Sequence, residues 1–497
     1  MSARHRRALV QTAAVAAAAL LLSSCGLQVS DDLRAQGIRG AVGQAATSTG
    51  AAAVGGEAVG AGPGGAAGPS SGGGSVVAPT SGSTGGGPRG VTTTQGAGGA
   101  TGAVAPAPRE GNGGATDIGV TADSINVGAV TTLSGPVPGL FAGAAYGARA
   151  YFAYQNSLGG LYGRQLQLTV ADDQLDCGQN RAQHLNLIPK TLAFVASLSL
   201  YDNCGAEVLA KNPTIPDASL TFSTQAGGLA NNFSIAPLVP GYRLGSFEYY
   251  KSKFPDAVPH MATLVGNIGS AVEIWQGIKA AAESIGYQVD YERNYSPGET
   301  DFTSDVIQMR QKGVRMIYFV SADSHTIARV LNAAAQQNWK PDLIAVGAGN
   351  AAYDPGFLPE AKAAAEGMYA DQAQALFFNP EDGRNIPGVA RYQEWMGKIG
   401  QSSHTDLYSA WGWAQALLAV QAMKQAGPKL TRASLLAALK GIHRFDGEGM
   451  FALSDPSSKK PATCYVVMKV VNQKFQRVDT PASTFRCDKG YYFYKKP

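Results

Sequence analysis

The chain is short of the residues that chemistry needs. Its six histidines, at positions 5, 184, 260, 325, 404 and 443, are scattered over 497 residues, and no HExxH or His-x-His pattern occurs. Zinc-peptidase chemistry is thereby left without its ligands. No GxxxxGK[ST] loop is present to cradle a nucleotide phosphate. Asp323, Ser324 and His325 stand together, as do His404, Thr405 and Asp406. Near-consecutive residues at a helix start cannot point at one another as a proton relay. Asp172 and Asp173 are neighbours on a strand, where successive side chains face opposite sides, so they read as a strand-end turn and not as paired acids. A GxSxG match at 68–72 has neither a strand before it nor a helix after it. No catalytic residue, metal or cofactor is expected, and the chain does not read as an enzyme.

Charge of one sign is missing too. The formal charge is +4, and Arg4, Arg6 and Arg7 lie in a segment expected to be removed, leaving 37 of 40 basic residues against 36 acidic ones. Nothing in that balance points to a nucleic-acid or polyanion partner, and none is expected. The apolar stretch from about Ala8 to Leu22 is too short, and wrongly flanked, for a lasting membrane span. After its basic start it reads as a signal peptide over 1–24. It ends in Leu22-Ser23-Ser24-Cys25, which resembles the lipobox of bacterial lipoproteins. That resemblance implies cleavage before Cys25 and a diacylglyceryl group on its sulfur, a two-chain anchor that holds stably to a membrane.

Cysteine is sparse, five in all. Setting Cys25 aside leaves Cys177, Cys204, Cys464 and Cys487, which allow three pairings. The local pairs, Cys177–Cys204 and Cys464–Cys487, are favoured because each closes a short loop between neighbouring elements. Each would add roughly 3 kcal/mol by constraining the unfolded chain. The spacings match no CxxC pattern and no histidine sits near either pair, which speaks against a metal site.

Large apolar residues are nearly absent from about Gly26 to Thr116, a run of Gly, Ala, Ser, Thr and Pro. Such a composition cannot bury enough surface to offset its ordering entropy. Residues 25–116 therefore read as a lipidated cysteine followed by a flexible tether, with an r.m.s. span on the order of 50 Å.

From about Asp117 onward, strand-like and helix-like segments alternate. Strands are predicted at 124–130, 165–173, 192–199, 219–223, 261–266, 287–292, 315–321 and 343–347. Between them lie amphipathic runs such as SAVEIWQGIKAAAESIG, with Ser270 placed to cap the helix and Gly286 to end it. Alternation of this kind implies parallel sheets covered on both faces, and about 380 residues of it exceed one core. After Phe451, antiparallel strands are expected to finish the fold.

Four stretches, INVGAVTTLSGP, NSLGGLYGRQLQLTVADDQLD, GETDFTSDVIQMRQKGVRMIYF and LYSAWGWAQALLAVQAMKQAG, appear in this order and together span essentially all of 124–430. They resemble the substrate-binding proteins of ATP-driven (ABC) importers, of the branched-chain amino-acid (leucine/isoleucine/valine) type. The resemblance implies an α/β Venus flytrap of the type 1 periplasmic binding protein class: two Rossmann-like lobes of parallel sheet flanked by helices, joined by three hinge crossings. One lobe would combine 117–238 with 372–450, the other would hold 239–371, and 451–497 would pack as strands across the hinge side. The family's early disulfide fits Cys177–Cys204.

The resemblance also implies a ligand site between the lobes. The Ser134-Gly135-Pro136 turn is expected to cap the first helix at the cleft edge. Tyr201, Thr221 and Ser223 fall where family members hold the ligand carboxylate, although each hydroxyl also reads as a plain turn cap. In the second lobe the family's two tyrosine positions fall at about Asn267–Ser270 and near Ala322–Asp323, and its glutamate near Asn350. None of those residue types is there, which speaks against a standard branched-chain amino acid. Asp323 is placed either to pair with a ligand ammonium or to cap the following helix. Tyr408 is either an apolar wall of the cleft or a packed core aromatic.

The implied function is an extracytoplasmic, lipid-anchored solute receptor on the outer face of a bacterial cell membrane. Its partners would be a small solute (amino-acid-like, amide or carboxylate) and the membrane permease subunits of an importer, with a monomer as the family default. Two other readings remain: a sensor of the same fold that signals to a membrane partner, and a cell-wall-associated protein with a degenerate cleft.

Overall fold

Thirteen strands are formed among the described residues of the computed structural model, which describes 111–495 apart from Ala348, Asn379 and Asp479. The expected signal segment, Cys25 and nearly all of the tether lie outside those residues. Among the described residues no helix is long and apolar enough to cross a membrane.

Strands β1 (Ser124–Thr131), β2 (Gln165–Asp172), β3 (Phe194–Val195) and β4 (Asp217–Ala218) form a parallel sheet in the order β2-β1-β3-β4. Strand β5 (Gly241–Arg243) follows, and then β6 (Met261–Gly266), β7 (Val289–Tyr295), β8 (Met316–Phe319), β9 (Leu343–Val346) and β10 (Tyr369–Gln372). With β11 (Val466–Val471) and β12 (Lys474–Val478) the last five build a seven-stranded sheet, ordered β12-β11-β10-β9-β8-β6-β7. Its β6 to β10 ladder is parallel, while β11 and β12 run antiparallel. The β11–β12 hairpin turns on Asn472 and Gln473, both at positive φ (51° and 58°), the geometry that suits the twist of a two-residue hairpin. Strand β13 (Tyr491–Phe493) pairs with β5 instead. The final segment thus lengthens the larger sheet and then returns to the first crossing.

The helices that shape the middle of the molecule are α1 (Ala142–Ser157), α2 (Cys177–Leu187), α3 (Asp202–Ala210), α4 (Thr224–Gly227), α5 (Gly269–Glu283), α6 (Ser324–Gln336) and α7 (Leu407–Ala426). Although it follows the second sheet's β10, α7 packs on α1 of the first lobe. The chain then goes back to β11, so it passes between the lobes three times. Glycine decides the α1–α7 contact: a Cβ on Gly147 would lie 1.8 Å from the Ser409 carbonyl oxygen, and one on Gly412 would lie 1.9 Å from that of Ala144. Helix α7 is buried along nearly all its length, as a helix apolar on every side must be. Asp406 and Ser409 start it with a reciprocal capping box.

Cys177 joins Cys204, tying α2 to α3, and Cys464 joins Cys487. The local pairings are the ones formed.

Candidate functional site: the cleft between the lobes

The carboxyl ends of the parallel strands in both lobes face a common cleft, where loops leaving strands usually meet ligands. Its first edge is the turn after β1. Asp172, at the end of β2, accepts hydrogen bonds from the Leu133, Ser134 and Gln174 amides at 2.9, 3.3 and 2.9 Å, and from the Ser134 hydroxyl. Burial works to raise its carboxyl, yet these bonds, led by the Ser134 hydroxyl, bring it below the usual range. Gly135 (φ 99°) lets the turn pass so close to Gln174 that a Cβ would lie 2.2 Å from its carbonyl oxygen. Helix α1 begins only at Ala142, with Phe141 as N-cap and no side-chain cap. The turn therefore does not cap α1, because the Ser134 hydroxyl is spent on Asp172. Asp173 points the other way into the core, where Thr132, Asn180, Ser199 and the Leu175 amide donate to it.

Hydrogen bonds from α5 join the second lobe to the first. The Ser270 hydroxyl donates to the Leu200 carbonyl at 2.7 Å. Glu273 on α5 accepts from the Thr224 amide at 3.1 Å and from the Thr224 hydroxyl. Beside the first of these contacts the two lobes share a cavity of about 60 Å³, which Leu200 helps to line.

Rings dominate the first-lobe wall. Phe141 stacks with Phe222 at 5.5 Å and meets Tyr408 edge-on at 5.0 Å, and Tyr408 meets Trp411 at 5.7 Å. From the second lobe come Ile268, Ala271, Tyr295, Ala322 and Asp323. Among the described residues of this lining, Asp323 is the one with a charged side chain. Its carboxylate caps α6, accepting from the Thr326 amide at 3.0 Å and the Thr326 hydroxyl at 2.7 Å. Each oxygen keeps a lone pair for another donor. Desolvation first, and the charge of Asp323 second, push the Tyr295 and Tyr408 phenols up, so both stay protonated donors. Ser321, two residues before Asp323, sits at φ 50°, a strained backbone of the sort found at ligand clamps.

Of the residues singled out from sequence, Asp323 and Tyr408 meet on this lining. Ser134 is on the cleft edge, exposed. Tyr201 is half-buried as the N-cap of α3. Ser223 caps α4, its hydroxyl accepting from the Ala226 amide at 3.2 Å. Thr221 is buried and its hydroxyl has no partner. Asn267 is exposed, while its neighbours Gly266 and Ile268 reach the cavity. Ser270 lies inside α5, whose N-cap is Ile268 without a side-chain cap, and holds Leu200 instead of capping. Asn350 is fully buried against Gln372, at 3.2 Å.

Sequence reasoning did not single out Phe141, Phe222, Trp411 or Tyr295. Tyr295 is the informative case. Strand β7 runs to Tyr295, three residues beyond its predicted end, and so supplies the second lobe with an aromatic wall. The signal was the unbroken run Val289 to Tyr295 before Ser-Pro-Gly.

The arrangement can hold a small molecule with an apolar body against the rings and a cationic or donor end on Asp323. Among the described residues no group of acidic, histidine and cysteine side chains is placed to hold a metal ion.

The sequence profile of a family described as "Periplasmic binding protein" matches residues 124–475. Solved structures share the fold. A fatty acid ABC transporter substrate-binding protein from Thermomonospora curvata is 21% identical with a TM-score of 0.63, covering 74% of this chain and 98% of its own. A branched chain amino acid ABC transporter from Thermus thermophilus with bound valine is 16% identical with a TM-score of 0.61, covering 73% and 97%. A leucine binding protein from Thermotoga maritima is 14% identical with a TM-score of 0.59, covering 71% and 97%. No curated protein matches.

Proposed function

The chain belongs to the periplasmic binding protein family, and from that premise we propose that it is the extracytoplasmic solute receptor of an ATP-driven importer. It binds and delivers a solute and does not transform it. In this reading residues 1–24 are removed, Cys25 carries the lipid, and the tether lets the monomeric receptor reach its permease. The two lobes open and close about their three crossings, and a solute that touches both shifts the population to the closed form. The permease then reads the closed shape.

One observation carries the proposal: both lobes supply the cleft lining, whose described residues combine a ring wall with one carboxylate, Asp323. A cationic group on a closing solute would offset its own desolvation by pairing there. The structural neighbours include both a valine-bound and a fatty-acid protein, and this cleft favours the amino-acid-like class because none of its described lining residues is a cation able to receive an isolated carboxylate.

A thermal-shift screen of the purified protein against amino acids, amides, ureas, polyamines and small aromatic acids tests this. A ligand at 100 times its Kd adds about 2.7 kcal/mol of stability, a shift easily read. Hits should cluster among ammonium-bearing solutes and weaken at least tenfold in Asp323→Asn, which keeps the helix cap. Hits confined to anions, or unaffected by that substitution, would refute the assignment.

A further inference from the structure

The cleft cavity has a larger apolar neighbour. This second cavity, of about 300 Å³, lies on the hinge side and is lined from all three crossings, by Leu238 and Val239 on the first, Ala373 on the second and Pro461 on the third. Ile274 of α5 adds to its wall. Cavities of this size and apolar character, with a few polar groups on the wall, are the usual form of a small-molecule site. Phe222, Gly349 and Trp411 line both cavities, so they form the partition between hinge side and cleft.

Two charged side chains line the hinge-side cavity, and both are already engaged. Arg243 pairs with buried Asp371, which also accepts from the Tyr242 and Tyr250 hydroxyls at 3.2 Å each. Glu273 takes the two bonds from Thr224 described above. Two polar atoms are left over: Arg243 Nε and Thr221 Oγ1 are buried and have no hydrogen-bond partner, on residues only 8% and 5% exposed. A buried donor without a partner is costly, and an acceptor brought to it regains that loss.

We propose that the hinge-side cavity is a second ligand site, separate from the cleft, which takes an uncharged aliphatic molecule with a hydroxyl or carbonyl head. The chain fills the space between the crossings, and the head accepts from Arg243 and Thr221. An anionic head is disfavoured, because the Arg243 charge is answered by Asp371 and Glu273 adds negative charge to the same wall. An occupant packs against all three crossings at once, so it stabilises the lobe arrangement that forms the cavity.

The test is a series of straight-chain 1-alkanols from hexanol to dodecanol, titrated into the full purified chain with melting temperature and calorimetry as readouts. Each added methylene should tighten binding about fourfold until the cavity is full, after which affinity levels off. Decanoate at pH 8 should bind at least tenfold more weakly than decanol. Leu238→Trp and Ile274→Trp each place a ring in the cavity and should weaken decanol binding tenfold or more. Ala271→Leu, which fills the cleft cavity instead, should leave it unchanged. If one tryptophan variant does not fold, the other and the wild-type chain-length series still decide. The proposal is overturned by non-saturable binding up to dodecanol, by decanoate binding more tightly than decanol, or by a loss in Ala271→Leu with no loss in the folded tryptophan variants.

Discussion

Asp406 offers the sharpest check on the packing, because its carboxyl is used as a cap in a place where a charge is badly solvated. Its side chain accepts from the Ser409 amide at 2.7 Å and starts α7. It is 9% exposed. Burial, and then the like charge of Asp354, push the carboxyl up to about 7 despite that bond. In the unfolded chain it titrates near 3.8. A carboxyl raised on folding holds its proton more tightly in the native state, so its contribution is full below about pH 4 and is lost as pH climbs through 7. A gap of about three pH units is worth about 4 kcal/mol. Asp406→Asn keeps a good N-cap and removes the charge, at a cost of about 1–2 kcal/mol for an amide N–H left without a partner. The expected outcome is a variant about 2 kcal/mol more stable than wild type at pH 8, with the order reversed at pH 4. Urea unfolding followed by tryptophan fluorescence at half-unit steps from pH 4 to 8 measures the difference, in which the titrating groups not coupled to Asp406 cancel. A difference that does not change with pH, or a wild type that gains on the variant as pH rises, would refute the reasoning.

Gly147→Ala should destabilise by about 3 kcal/mol or more, because the new methyl meets the Ser409 carbonyl oxygen of a helix that has nowhere to move. Thermal melting should show it, and Gly490→Ala, at a glycine with open space around it and no positive φ, should cost much less. Replacing Cys177 and Cys204 together by serine opens a loop of sequence separation 27 and should cost about 3 kcal/mol in denaturant unfolding. Arg243→Met leaves Asp371 buried without its cation and should cost about 3–5 kcal/mol, whereas the double variant with Asp371→Leu should recover much of that loss in the same assay.

The fold was legible where local signals agreed. Strands β1, β6 and β9 fall within a residue of their predicted limits because an apolar run stops at a turn residue in each. Strands β3 and β4 did not follow the pattern: LAFVASLS and SLTFS are apolar, yet paired strand is confined to Phe194–Val195 and Asp217–Ala218. Their later residues turn toward the cleft, where Leu200 and Phe222 line the cavity, and hydrophobicity there marks a cavity wall and not a ladder. Of the cavity lining, only Asp323 and Tyr408 were legible, residues whose position at a helix start is reached by counting from a strand end or from the start of the long apolar helical run. The hydroxyls chosen by strand-end position are taken up by local work instead: Ser134 by Asp172, Ser223 by Ala226, Ser270 by Leu200. Short polar side chains at strand ends satisfy nearby backbone first, and a single sequence does not separate those that are spent from those that are free. The ring wall escaped for a different reason. Phe141, Phe222, Tyr408 and Trp411 come from three separate stretches of chain and become one surface only when α7 docks on α1, a contact set by Gly147 and Gly412. Substituting either glycine should therefore disturb the cleft as well as the core, and a loss of ligand affinity that exceeds the loss of stability would tie the helix contact to the binding wall.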